Sequence, residues 1–413
     1  MTHEVQVVKS RRAMRETRVL KSRRAFVRLL GASGIGLLAA ACASGAGPAT
    51  APPPTQPAAP TSPPAQAAAP TSPPTLAPTA VPAATTQPVA TAAPAATRPP
   101  ATVRITDIQI TSAAGSYIAA EKGYFREEGI QAQFMPVPTA DQVTAIVSDS
   151  ADVAGAAINA QLFNALARGL PIKMMADHGA NLRNASAGGV VFRKDLADTG
   201  QLSGPADLKR QRVGVGTPPG TSTADIAFSR YLEQAGLTEK DLEMVLLSFP
   251  DILPAFVSQN IAAAYWQEPF TTIAVKQGVV VRGPIGFDLY PEQQIAVLVF
   301  GRGIQADRDL SLRYLRAYTR GVRDYVKGII NKDQKTFGEV APILIQHTTV
   351  KDVSLLQEAI PSGLKPEPVP NQQSIVDDLD WFVKQGQVSQ KFDVTQYLDL
   401  ALVQEAIRQV GPA

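Results

Sequence analysis

Catalysis has few places to occur in a chain of 413 residues that holds three histidines and one cysteine. His3 falls in the leader segment described below, His178 stands alone in a loop, and His347 is isolated among C-terminal helices. No H-x-x-x-H, C-x-x-C or G-x-S-x-G pattern occurs. Neither a zinc site nor an activated nucleophile can therefore be assembled from neighbours in sequence. The expectation is a protein that is not an enzyme and carries no metal and no cofactor. What remains is recognition by hydroxyls, amides and carboxylates, and the densest such run is Thr221-Ser222-Thr223.

Those hydroxyls sit within Arg212–Arg230, RVGVGTPPGTSTADIAFSR. Val213 and Val215 alternate with glycines as a short strand, and Pro218-Pro219-Gly220 stops it. The hydroxyl residues then open a helical pattern through Ile226, Ala227, Tyr231 and Leu232. A helix start leaves N–H groups unpaired and, with hydroxyls beside them, makes a cradle for a small polar molecule. The glycines fall as G-x-G-x-x-x-G, and no Gly-Lys-Ser/Thr follows. The turn is therefore not a dinucleotide or P-loop phosphate site.

The N-terminus has another character. Residues 1–41 carry nine Lys/Arg against two Glu and turn apolar from Leu29 to Ala41, a charged region and apolar stretch of signal-peptide length. Ser22 to Arg28 resembles the twin-arginine export motif, and Leu38-Ala39-Ala40-Ala41-Cys42 resembles a lipobox, which implies acylation of Cys42. As the only cysteine, Cys42 cannot form an internal disulfide. From residue 42 to 101 the composition collapses to Ala, Pro, Thr and Ser, with Ala-Pro-Thr-Ser-Pro-Pro at 59–64 and again at 69–74. This reads as a disordered, extended tether, because it has too little bulky apolar surface to offset its ordering entropy. Without the leader, 30 basic residues face 34 acidic ones, so the net charge is near −4 rather than +3. With no basic stripe, nucleic-acid binding is excluded.

Residues 102–413 alternate strand and helix at βαβ spacing, which predicts an α/β fold with a largely parallel sheet. Strands are expected at Val103–Ile110, Gln131–Val137, Asp152–Ala156, Ile172–Ala176, Gly188–Arg193, Arg212–Gly216, Leu242–Leu247, Ile261–Tyr265 and Ile295–Phe300; amphipathic helices are expected from Leu310 onward. Two crossings, near Gly188 and near Ile295, divide this part into one lobe of 102–190 with 297–413 and a second of 191–296, with a hinged cleft between them. Ligands of such sheets sit beyond the carboxyl ends of strands. That rule points to Thr111–Ser116, Ala157–Asn159, Asp177-His178-Gly179, the cradle, and Tyr265-Trp266-Gln267-Glu268-Pro269.

Tyr117-Ile-Ala-Ala-Glu-Lys-Gly-Tyr-Phe-Arg-Glu-Glu-Gly-Ile130 resembles the A-x-x-K-G-Y-F-x-x-E-G-[LI] signature of periplasmic binding proteins of ABC importers, in the nitrate/sulfonate/taurine and thiamine-pyrimidine-precursor group. Asp152-Val-Ala-Gly155, Leu166 to Pro171, Asp207-Leu-Lys209 and Tyr265 to Pro269 are similar to its other blocks, in the same order. The resemblance implies a type II periplasmic-binding fold and capture of a small nutrient for a membrane permease and its ATPase. With the lipobox at Cys42, the expectation is a monomer held by a lipid anchor at the extracytoplasmic face of the cell membrane. The resemblance assigns pocket roles to Thr111, Ser112, Asn159, Thr221, Ser222, Thr223, Trp266 and Glu268. The cradle departs from the group's Gly-Ser-Thr-x-His pattern, with Asp225 in place of the His.

That departure bears on the ligand. Asp225, Glu268 and Asp177 at pocket positions would repel an anion, whereas Tyr117, Tyr265 and Trp266 could stack on a planar ring. The expected ligand is a neutral heteroaromatic nutrient, riboflavin or a thiamine pyrimidine. A sulfonate, taurine or nitrate is the alternative, as is a sensor module or a pyrimidine-processing enzyme of the same fold.

Overall fold

The computed structural model describes residues 99–186 and 188–413. The leader 1–41, Cys42 and the tether up to residue 98 lie outside the described residues; the tether's expected end at 101 is one residue inside the first strand. Ten strands follow in order: β1 (Ala101–Thr106), β2 (Ile130–Phe134), β3 (Val153–Ala157), β4 (Lys173–Ala180), β5 (Gly188–Arg193), β6 (Arg212–Val215), β7 (Glu243–Leu246), β8 (Ala263–Gln267), β9 (Val280–Ile285) and β10 (Gln294–Phe300). The helices of eight or more residues are α1 (Ala114–Glu121), α2 (Thr139–Val147), α3 (Ala160–Ala167), α4 (Thr223–Glu233), α5 (Phe249–Val257), α6 (Arg308–Tyr325), α7 (Gln334–His347), α8 (Gln372–Lys384) and α9 (Leu400–Val410).

The strands form two five-stranded sheets, ordered β2-β1-β3-β10-β4 and β7-β6-β8-β5-β9. Each is mixed rather than largely parallel. β1 pairs parallel with β2 and β3, and β6 with β7 and β8. β10 runs antiparallel to β3 and β4, and β5 antiparallel to β8 and β9. The cause lies in the crossings. The chain leaves the first sheet at the carboxyl end of β4 and enters the second directly as β5, with no helix to carry it back to the far edge. A strand entered from that end must run against its neighbours. The return from β9 into β10 passes only through the single helical turn Gly286–Leu289, and β10 likewise runs against its neighbours. β9 carries Gly283 and Pro284, so its alternation is weak in sequence and no strand was expected there.

The first core lies between the first sheet and α1, α6, α7 and α9. Tyr314, Leu315, Tyr318, Val322 and Tyr325 bury one stripe of α6, each side chain contributing about 2 kcal/mol by removing apolar area from water. α6 meets α1 across two glycines. A Cβ on Gly321 would sit 2.1 Å from the Gly115 carbonyl oxygen, and one on Gly115 would sit 2.6 Å from Val322. Neither position admits a side chain without moving the helices apart. Side-chain caps fix the starts of the helices that close this lobe: Asp307 accepts from Leu310 N, Asp333 from Thr336 N and Asp399 from Leu402 N.

A second core spans Leu162, Phe163 and Leu166 of α3, Ile226 and Phe228 of α4, and Leu379 and Phe382 of α8. A third, within the second sheet's layer, holds Ile252, Phe256 and Trp266. Among the described residues no helix is long and apolar enough to cross a membrane.

Candidate functional site

Parallel strands β1, β3, β6 and β8 all point their carboxyl ends at the gap between the sheets, and β10 begins there because it runs the other way. Two cavities occupy the gap. The first, about 160 Å³, is walled by Val215, Thr217, Ser222, Thr223, Asp225, Phe228 and Tyr265. The second, about 200 Å³, is walled by Asp107, Thr111, Ser112, Gln142, His178, Glu268 and Ser362. Both share Phe249, Gln267 and Ile295, so they are two ends of one cleft. Neither lining includes a Lys or Arg.

At the first end, Gly220 takes a left-handed backbone, φ +79°, to turn the chain into α4. Asp225 reaches back over this turn. Its Oδ2 accepts from Ser222 N at 2.8 Å, Thr221 N at 3.1 Å and Ser222 Oγ at 2.7 Å. Burial pushes its carboxyl up to about 6, against the lowering effect of those donors. The Ser222 hydroxyl, spent on Asp225, leaves its oxygen to face the Thr217 hydroxyl at 3.0 Å. Thr223 and Ala224, whose first-turn N–H groups have no partner within the helix, are among the residues that line the cavity. Phe228, Phe249, Tyr265 and Ile295 supply the apolar wall.

At the second end, the His178 Nε2 and Asp107 Oδ2 lie 2.8 Å apart with both side chains under 4% exposed. The contact is close enough for an ion pair, yet the ring N–H is not aligned with the oxygen as a hydrogen bond. The Tyr318 hydroxyl donates to the Asp177 carbonyl at 2.8 Å, so its oxygen accepts from His178 Nδ1 at 3.1 Å. That assigns a proton to Nδ1. Burial works to lower the His178 pKa, but the Asp107 carboxylate outweighs it and the net direction is up. A Cβ on Gly155 would fall 2.2 Å from His178 Nε2, so β3 can carry only glycine beside this pair.

The expected site residues divide between the cleft and the interior. Thr111, Ser112, Ser222, Thr223, Tyr265 and Glu268 line the cavities. The Thr221 hydroxyl donates instead to the Pro218 carbonyl, and the Asn159 side chain caps α3 by accepting from Leu162 N at 2.8 Å. Asp177 and His178 belong to β4 rather than a loop. Asp177 is wholly buried and accepts from Gln294 Nε2, Gly179 N and Lys365 N; burial raises its pKa. Tyr117 stacks on His347 at 4.8 Å and on neither cavity. Trp266 is 1% exposed, donates from Nε1 to the Phe249 carbonyl and stacks on Phe270. Two of the three rings expected to hold a planar ligand are thus packing residues.

The three carboxylates expected to repel an anion are also accounted for. Asp225 is turned into its own helix cap, Glu268 pairs with Arg282 at 2.5 Å and accepts from Thr272 N, and Asp177, within β4, is buried against Gln294, Gly179 and Lys365. Arg183, between β4 and β5, rests over the Phe287 ring. Sequence reasoning did not single out Asp107, Gln142, Thr217, Phe249 or Ser362. The strand-end rule could have found Thr217 and Phe249, which follow β6 and β7. Gln142 betrays itself as a polar residue on the stripe of Val143 and Ile146. Ser362 is 251 positions from its partner Thr111, and nothing local marks it.

Two α/β lobes, each with one reversed crossing strand, and a cleft at their strand ends define the type II periplasmic-binding fold. The family model described as "NMT1/THI5 like" matches residues 110–325, just over half of the chain, and the chain belongs to that family. Among solved structures, it is similar to the periplasmic aliphatic sulphonate binding protein SsuA from Escherichia coli: 18% identity, 72% of this chain and 92% of that one covered, TM-score 0.58. It is similar to the periplasmic nitrate-binding protein NrtA from Synechocystis PCC 6803: 16% identity, 75% and 89% covered, TM-score 0.59. It is also similar to the desulfurization enzyme DSZB: 14% identity, 75% and 99% covered, TM-score 0.55. No curated protein matches the chain.

Proposed function

We propose that the protein is an extracytoplasmic solute-binding component of an ABC importer, which closes its two lobes over a small ligand and passes it unchanged to a permease. The observation that carries this reading is the pair of contiguous cavities between the lobes, joined through Phe249, Gln267 and Ile295. A cleft lined by strand ends and helix starts is where a fold of this kind takes its ligand. The sulfonate and nitrate named for the neighbours favour an oxyanion head group over the heteroaromatic vitamin expected from sequence. The cleft supports that preference, since Asp225 and Glu268 are engaged with other groups and two of the expected stacking rings are buried elsewhere. The oxyanion would take the free N–H groups of Thr223 and Ala224 at the positive end of α4, with an apolar body against Phe228, Phe249 and Tyr265. Anchoring through an acylated Cys42 and action as a monomer belong to the same proposal.

The test is thermal melting of residues 99–413 with a panel of alkanesulfonates, taurine, nitrate, riboflavin and thiamine pyrimidines. One class should stabilise the protein, by about 2.7 kcal/mol at a hundredfold excess over its Kd. A melt indifferent to every member, or chemical conversion of the bound compound, refutes the proposal.

A further inference from the structure

The second end of the cleft holds hydrogen-bonding capacity that an oxyanion on α4 would leave unused. Gln142 is 1% exposed, lines the 200 Å³ cavity, and has no partner for either Oε1 or Nε2. A buried amide with both ends unpaired is destabilising, and such orphans call for an explanation in terms of what completes them. In the same cavity Asp107 Oδ2 and His178 Nε2 are also without an aligned hydrogen bond. The pair carries no net charge when His178 is protonated. The Thr111 and Ser362 hydroxyls, 2.8 Å apart, close the rim.

We propose that this end of the cleft is a subsite for a neutral group presenting one hydrogen-bond donor and one acceptor side by side, such as a primary carboxamide, a urea or a cyclic-imide edge, and that Gln142 reads it in a paired amide–amide geometry. The proposal rests on the cleft-binding reading above and adds the class of group held at the end remote from α4. A primary amide is matched by another because each offers one N–H and one carbonyl in a plane.

The test is titration calorimetry with two isosteric probes, 4-methylpentane-1-sulfonate and 3-carbamoylpropane-1-sulfonate, run beside the neutral probes butyramide and succinimide. Wild type should bind the carbamoyl sulfonate about tenfold more tightly than its branched-alkyl twin, the effect of two modest hydrogen bonds. Gln142→Leu should erase that preference and bind the alkyl sulfonate at least as tightly, while its ligand-free melting temperature stays equal or rises, showing that the fold is intact. Sulfonate binding with no preference, or a preference that survives Gln142→Leu, overturns the subsite and leaves the cleft reading standing. Binding of butyramide or succinimide alone, lost in Gln142→Leu, supports the subsite and overturns the oxyanion head group. If no probe binds, both readings fall.

Discussion

Asp378→Asn should gain stability over the wild type as pH rises from 5 to 8. Asp378, on α8, is fully buried. Burial pushes its carboxyl up to about 8, against smaller lowering effects from Gln293 and Arg230. Its Oδ1 accepts from Gln293 Nε2 at 3.4 Å, and its Oδ2 has no partner. The unfolded chain ionises this carboxyl near 3.8. Folding therefore takes up a proton at any pH between the two values, and the stability carried by the protonated form drains away as pH climbs toward 8. Each pH unit in that window is worth about 1.4 kcal/mol, so the variant should gain about 4 kcal/mol on the wild type between pH 5 and pH 8. Asn can still accept from Gln293 and does not titrate. The assay is urea denaturation of both proteins across that range. Asp225 and Glu239, raised to about 6 and about 7, titrate in both proteins and cancel in the difference. Parallel profiles, or a wild type that gains on the variant with rising pH, refute the reasoning.

Phe249→Ala, which empties the wall shared by both cavities, should weaken ligand binding at least tenfold with a modest loss of stability. Trp266→Ala should do the reverse, costing about 3–5 kcal/mol in denaturant unfolding with a smaller change in Kd. Asp225→Asn should tighten binding of an oxyanion about fivefold at pH 7.5, roughly 1 kcal/mol. Wild type should show the same tightening on acidification below pH 6, since the raised carboxyl is then protonated; calorimetry at pH 7.5 and 5.5 that shows no change in either case refutes it. Gly321→Ala should destabilise by about 3 kcal/mol, read by urea unfolding, because the new Cβ meets backbone rather than a movable side chain.

Much of the fold was legible because its signals are local. The alternating valines of β6, the small residues of β3 and the stripe of α6 each report their partner surface within a few positions. β5 and β10 were legible as strands, but their antiparallel direction was not, since direction is decided by which end of a sheet the chain leaves and no residue encodes that. The cleft was legible only as loops. Thr111 and Ser222 follow strands, and Tyr265 lies near the end of β8, closely enough for the strand-end rule to find them. Trp266 and Tyr265 show where that rule stops. They are adjacent in β8 and point to opposite faces; Tyr265 reaches the cavity and Trp266 the core, and an aromatic pair in sequence does not say which is which.

The two crossings also explain why the cleft can be both polar and closed. Asn181, just beyond β4, donates from its backbone N–H to the Gln293 carbonyl at 2.9 Å and from its side chain to Gln293 Oε1 at 3.2 Å. Gln293 in turn donates to the Thr223 carbonyl at 3.2 Å and to Asp378. One buried glutamine at the mouth of β10 thus ties the outgoing crossing to the returning one, to the first turn of α4 and to α8. The first turn of α4 is hydrogen-bonded to the crossing segment itself. An anion on the Thr223 and Ala224 N–H groups would then act on the same turn that Gln293 holds from behind. Gln293 thus joins the first turn of α4 to Asp378, which lies outside the lining of either cavity.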